Sequence, residues 1–331
     1  MRNRKISIIV PVYNGEKLIK GCLDALINQD YPKDKYEIVV VNDGSVDKTA
    51  QIVKKFPVRL INLKKNMGKV KAREIGARAA KFSQLAFIDA GCIADKNWLA
   101  AVRKANYQPL VGRVITDPKR SNADRFFYLL RRKIYKQIEK TTYIDNQNFY
   151  KMGKGTGNLV CLKELFLNCS PKRKGKYVND DMELFYNLLK HKKILSHPDP
   201  KVYHLERTQA RQIFKQWFLI GSTFADFYLV YTKKYLPLLL TTMGIFTAAL
   251  LIGLLNPLLL LYEALAGVFL LIIISLYFCE KLSDFRFFIP YFVLVTFAAS
   301  LGVIKRMKKL FFLYFVALIL IVILIRKLRV L

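Results

Sequence analysis

Three stretches of the chain end a run of β-forming residues on side chains that can bind a ligand. Tyr13-Asn14 follows ISIIVPV, Asn42-Asp43-Gly44 follows YEIVVV, and Asp89 follows QLAFI. Carboxylate, amide and phenol groups in such places exchange hydrogen bonds with polar ligands. One such end alone reads equally well as a helix cap, with Asp43 and Ser45 satisfying the first turn of the helix that follows. Three of them on one edge favour a ligand site.

The elements around these residues explain why they meet. KISIIVPVY is a nearly continuous apolar run, the pattern of a strand buried on both faces. GEKLIKGCLDALINQ then sets Leu18, Ile19, Cys22, Leu23, Leu26 and Ile27 on one helical stripe, ended by DYP. YEIVVV, VRLINL and QLAFIDA read as strands, and DKTAQIVKKF and KVKAREIGARAAK as helices. This alternation predicts βαβ units, hence a mostly parallel sheet with helices on both faces. Ligands in such sheets lie beyond the carboxyl ends of the strands.

Charge and hydropathy are segregated along the chain. Hydrophobic residues make up 53% of the 331, yet the formal net charge is +31. Nine of the 55 Lys and Arg and three of the 24 Asp and Glu lie from Tyr235 onward, so the preceding part carries an excess of 25 positive charges. That field attracts anionic lipid or phosphorylated substrates. Nucleic acid is excluded, because no aromatic and basic reading motif accompanies the charge. Four apolar runs follow: Leu236–Leu255, Pro257–Cys279 with the single charge of Glu263, Phe287–Ile304 and Leu310–Ile325. They predict three to four helical membrane segments. MRNRKISIIVPVYN does not read as a signal peptide, so the soluble part is expected in the cytoplasm. Cys22, Cys92, Cys161, Cys169 and Cys279 have no metal-ligand spacing and read as packing residues.

At this point four segments, in order and in register, resemble the N-terminal half of family-2 glycosyltransferases: SIIVPVYNGEKLIKGCLDALINQDYP, YEIVVVNDGSVDKT, KNMGKVKARE and AFIDAGCIADKNWL. The resemblance covers roughly residues 5–205. It implies the GT-A fold, a single Rossmann-like α/β domain that binds a nucleoside-diphosphate sugar. By similarity, Pro11, Val12 and Tyr13 would lie along the base and Asp43 would accept its N–H groups. Lys69 and Arg73 would face the diphosphate. Asp89 would hold the ribose or a divalent metal, Mn²⁺ or Mg²⁺. The family usually has Asp-x-Asp at this strand end, and here Gly91 replaces the second Asp. Asp95 reads more simply as a helix cap.

The resemblance extends to the acceptor side. GKGTGNLVCLKELF would close over the sugar, with Asn158 reaching it. Where relatives carry Glu-Asp at a helix start, this chain has Asp180-Asp181. Asp181 is expected as catalytic base and Asp180 as its orienter, each raising the other's pKa. Glu183 lies farther into the helix. His191 and His197 read as surface residues, while His204 is a candidate ligand of the diphosphate or metal. Residues 206–234 carry Ile213, Trp217, Ile220, Phe224 and Phe227 or Tyr228 on one stripe behind Arg207, Arg211 and Lys215, an interfacial helix.

The expected organisation is therefore a GT-A domain over 1–205, an amphipathic linker over 206–234 and a membrane region over 235–331. The expected function is inverting sugar transfer from a nucleotide sugar to a lipid-linked or cell-envelope glycan, at the cytoplasmic face of a multi-pass membrane protein. Two alternatives stand beside it. One is a membrane scaffold that binds nucleotide sugar without turnover, which Gly91 favours and the Asp180-Asp181 pair opposes. The other is a processive polysaccharide synthase, opposed by QIFKQW standing where Gln-x-x-Arg-Trp would be.

Overall fold

The structure is a computed structural model. It describes residues 5–134, 138–149, 153, 155–171, 180–224 and 257–306, together with 237, 239–241, 243, 312, 314 and 316. The chain divides into two compact units, Met1–Thr208 and Gln209–Leu331.

The first unit is a layered α/β domain around one sheet. β1 (Ile6–Val12) is buried along its whole length, as its unbroken apolar run requires. It pairs in parallel with β2 (Tyr36–Asn42) on one side and β4 (Gln84–Phe87) on the other. β3 (Arg59–Asn62) adds to β2, also in parallel. The helices between these strands are α1 (Ile19–Ile27), α2 (Thr49–Val53) and α3 (Lys69–Ala79). Ile19, Cys22, Leu23 and Leu26 of α1 are buried, the core of the stripe expected from the sequence. They join Ile8, Val10, Val40 and Trp98 in the main core.

The second half of the sheet departs from the expected parallel pattern. β5 (Cys92–Ala94), β6 (Leu110–Ile115), β7 (Thr142–Ile144), β8 (Leu159–Leu162) and β9 (Ile194–His204) complete the order β3-β2-β1-β4-β8-β6-β9-β5, with β7 on β9. β8 enters antiparallel to both β4 and β6, and β5 and β7 run antiparallel to β9. The sheet is therefore mixed. The reason is local: β8 follows a short turn at Thr156–Asn158 rather than a crossover helix, so it need not run with its neighbours. The remaining helices of this unit are α4 (Trp98–Ala105), α5 (Asn122–Ile134), α6 (Lys163–Cys169) and α7 (Asp180–Leu189). Cys22, Cys92, Cys161 and Cys169 are buried free thiols, in keeping with packing roles.

In the second unit, α8 (Ala210–Phe224) packs along α10 (Phe285–Arg306), and the apolar α9 (Pro257–Phe278) lies between them in sequence. Gly221 permits the approach, since a Cβ there would stand 1.9 Å from the Ala299 carbonyl oxygen. Phe214 stacks on Phe218 and leans on Phe297. Ile213 is buried, so part of the stripe expected to lie on a bilayer is covered by protein. Among the described residues one helical stretch, Phe288–Lys305, is long and apolar enough to cross a membrane, and Leu265–Phe278 is a shorter apolar stretch. Leu265, Val268, Phe269 and Leu276 on α9 are exposed. Most of the expected first and fourth membrane segments, and the Asn256 turn, lie outside the described residues.

Candidate active site

The rim of the parallel half is held together by its own polar loops. After β1, Asn14 adopts φ 49° and its N–H donates to Ser45 Oγ at 2.8 Å, while Val46 N–H donates back to Asn14 Oδ1 at 3.0 Å. Gly15 N–H donates to Thr49 Oγ1 at 2.8 Å and Glu16 N–H to Asp47 Oδ2 at 3.1 Å. These bonds lock the loop after β1 to the loop after β2. Short Asn, Ser, Thr and Asp side chains suit the task because they reach nearby backbone without a long rotamer search.

Asp43 is only 3% exposed. Its Oδ1 accepts the Met67 N–H at 2.7 Å and its Oδ2 the Gly68 N–H at 2.9 Å. The carboxylate thus latches the NMG turn that opens α3, a role the sequence reading missed. Each oxygen keeps a second lone pair. Gly44 makes the latch possible: at φ +69° it lies so close to the same turn that a Cβ would stand 2.5 Å from the Lys65 carbonyl carbon. Tyr13, the residue after β1, is 49% exposed. Pro11 and Val12 are buried in β1.

Four acidic and basic groups converge between the carboxyl end of β4 and the first turn of α7. Arg73, from α3, is 2% exposed. One guanidinium nitrogen donates to Asp89 Oδ1 at 2.8 Å and the other to Asp181 Oδ1 at 3.2 Å. Lys69, one turn earlier on α3, lies 3.6 Å from the same Asp181 oxygen. Thr156 gives Asp181 two more donors, its hydroxyl to Oδ1 at 2.8 Å and its N–H to Oδ2 at 3.2 Å. Burial pushes the Asp181 carboxyl up, but Lys69, Arg73 and Thr156 outweigh it and hold the pKa at about 2. The Asp181 carboxyl therefore lies below the usual range, which corrects the expectation that its pKa would be raised. Asp180 opens α7, and its side chain lies outside the described residues.

Asn158 is also corrected. It is fully buried, its Oδ1 accepts the Trp98 indole N–H at 2.9 Å, and its Nδ2 donates to the Arg113 and Pro200 carbonyls. It joins α4, β6 and β9 rather than reaching a sugar. Gly157 is the residue that borders the site, since a Cβ there would stand 3.3 Å from Asp89 Oδ2. Asp95 accepts the Asn97 N–H at 3.0 Å before α4, as a helix-start residue does.

His204 pairs with Cys92 across the β5–β9 ladder, and Leu205 N–H donates to the Gly91 carbonyl. His204 therefore sits beside the Asp89–Cys92 turn. Its Nδ1 is 2.9 Å from Glu206 Oε1, a buried carboxylate also bonded by Arg131. Burial raises the Glu206 pKa, but Arg131 and His204 outweigh it and hold it at about 2. Nothing in the sequence reading anticipated Glu206; its position two residues after His204 at a strand end was the available signal. Among the described residues no group of three or more His, Cys, Asp and Glu side chains comes together as a metal cluster.

Residues 7–166 match the family described as Glycosyl transferase family 2. Glycosyltransferase AglE of Haloferax volcanii is 38% identical over 99 residues, 28% of this chain and 33% of that protein. Poly(ribitol-phosphate) beta-N-acetylglucosaminyltransferase TarS of Staphylococcus aureus is 40% identical over 101 residues, 29% of this chain and 18% of that protein. The matches thus span a third or less of these relatives. A solved structure, mannosyltransferase PcManGT from Pyrobaculum calidifontis in complex with GDP-Man and Mn²⁺, superposes with a TM-score of 0.58 over 92% of this chain and 87% of that one, at 19% identity. At that identity the likeness speaks for the fold. Residues 7–166 are thus similar to Glycosyl transferase family 2, and they lie in a mixed α/β fold of GT-A-like form.

Proposed function

We propose that the protein transfers a sugar, with inversion, from a nucleoside-diphosphate sugar to a hydroxyl of a glycan or lipid-linked glycan. The observation that carries this reading is the Asp89–Arg73–Asp181 junction beneath the rim of β1, β2 and β4. It sets a donor-side carboxylate and an acceptor-side carboxylate on one buried cation.

Tyr13 and the remaining lone pairs of Asp43 receive the nucleotide. Lys69, partly exposed, meets the diphosphate, which leaves with the electron pair of the broken anomeric C–O bond. The attacking hydroxyl gives its proton to Asp181 Oδ2, the less crowded of the two oxygens. A base with a pKa near 2 is ionised at every physiological pH, so it is always available. Its weak basicity rises once the diphosphate draws Lys69 away from it.

A divalent cation fits the donor set in a sparse form. Mg²⁺ and Mn²⁺ accept few protein ligands beside phosphate oxygens and water. Asp89 Oδ2 and His204 Nε2 would hold it, the imidazole being oriented by Glu206 at Nδ1. When bound, the metal would neutralise diphosphate charge. The names of the relatives support the donor and acceptor classes: poly(ribitol-phosphate) is a polymer bearing free hydroxyls, and GDP-Man is a nucleotide sugar. The apolar helices, with the basic excess of the first 234 residues, support work at the inner face of a membrane through several segments, on anionic lipid. A GT-A domain over 1–205, a linker over 206–234 and a membrane region over 235–331 remain the proposed organisation.

The test is nucleoside diphosphate release by the purified full chain over a panel of UDP- and GDP-sugars, with Mn²⁺, Mg²⁺ or chelator and lipid-linked acceptors. Release from one donor, diminished by chelator, is expected. Donor binding without release from any donor would favour the scaffold reading instead.

A further inference from the structure

Arg73 was expected to face the diphosphate, but its geometry serves another purpose. Both terminal nitrogens of its guanidinium are directed at carboxylates, Asp89 on one side and Asp181 on the other. The side chain is 2% exposed, so it approaches the site from beneath. Asp89 follows β4 and Asp181 stands in the first turn of α7, two elements that are not neighbours in the sheet or in sequence. A planar guanidinium has its donors in a fixed fork, so the two acids it holds are fixed relative to each other. Lysine could not do this, because its ammonium is a point charge on a flexible stem. Lys69 completes the division of labour. It lies on the same face of α3, is a third exposed, and touches only Asp181 Oδ1 of the two acids.

We propose that Arg73 is a positioning residue that fixes the spacing of the donor-side carboxylate Asp89 and the base Asp181, rather than a diphosphate ligand. The proposal rests on the transferase reading above for its kinetic consequences and on the bridge itself for its structural one. The bridge presents Asp181 Oδ1 to Arg73, Lys69 and Thr156, which leaves Oδ2, bonded among the described residues by the Thr156 N–H alone, to face the acceptor. Loss of the fork would free Asp181 to turn and would misplace the proton acceptor without removing any donor contact. Small displacements of this kind are costly to turnover, because reacting groups must be held within a narrow geometry.

The experiment uses full-length Arg73→Lys, Arg73→Gln and Arg73→Ala, with folding checked by thermal melting. Where the wild type turns over, Arg73→Gln is expected to lower kcat about 100-fold while the donor dissociation constant changes less than about 3-fold, with millimolar guanidinium restoring part of the Arg73→Ala rate. Arg73→Lys should stay well below the wild-type rate despite keeping the charge. A weakened donor affinity with kcat unchanged would overturn the proposal and make Arg73 a diphosphate ligand. A second readout needs no turnover. Asp89→Asn and Asp181→Asn should be non-additive in melting temperature in the wild-type background and additive with Arg73→Gln. Additivity in both backgrounds would overturn the bridge. If no donor is turned over, the transferase reading fails while this cycle still decides the role of Arg73.

Discussion

Asp43 and Asp181 are the same side chain at the mouth of the same domain, held in opposite ways. Asp43 is fixed by two backbone N–H groups of the turn before α3. Asp181 is fixed by two cations and a threonine. A carboxylate held by backbone amides organises a loop, and its loss is felt first as stability. A carboxylate held by mobile or displaceable charge can change its basicity when a charged ligand arrives, and its loss is felt first as turnover. The comparison also separates two kinds of glycine. Gly44 allows the chain to approach the latch, while Gly155 and Gly157 keep side chains away from Asp181 and Asp89.

Four substitutions can break or sharpen this contrast. Asp181→Asn should lower the transfer rate about 10²- to 10⁴-fold, the range for a lost general base, measured as initial velocity at saturating donor. Asp43→Ala leaves two partly buried N–H groups without their acceptor, so thermal denaturation should show a loss of about 1–3 kcal/mol together with weaker donor binding. If it loses turnover alone, the latch is not its main role. Gly44→Ala forces a Cβ against Lys65 at a positive φ and should cost about 1–3 kcal/mol with donor binding weakened in parallel. Glu206→Gln tests a third held carboxylate through pH. Its folded pKa of about 2 lies below the ordinary 4.5, so its stabilisation is present above pH 4.5 and disappears as pH falls toward 2. The substitution should remove roughly 2–3 kcal/mol at neutral pH and flatten the acid loss in that window, read from melts at pH 7 and pH 3.

The parallel half of the fold was legible because its signals are local. Unbroken apolar strands, the α1 stripe and three polar strand ends all read directly from ISIIVPVYN, YEIVVVNDG and QLAFIDA. The antiparallel entry of β8 was not, because strand direction depends on the turn at Thr156–Asn158 and on where β6 and β9 lie, which are long-range facts. The same distinction runs through the site. Residue types singled out Asp43, Asp89 and Asp181, yet their partners come from 24, 16 and 108 residues away. Asn158 misled because an amide in a glycine-rich segment resembles a ligand group, whereas its bonds to Trp98, Arg113 and Pro200 make it a core cross-link. Thr156 was overlooked between two glycines, although its hydroxyl is one of the side-chain donors that segment offers.

The most direct measurement of the central claim pairs two readouts on one preparation of full-length Asp181→Asn: calorimetric donor binding and nucleoside diphosphate release with acceptor present. The account predicts that donor binding stays within about 3-fold of wild type while release falls at least about 100-fold. Release at the wild-type rate with intact binding would contradict it, because the proton would then be leaving by a group other than the carboxylate that Lys69, Arg73 and Thr156 surround.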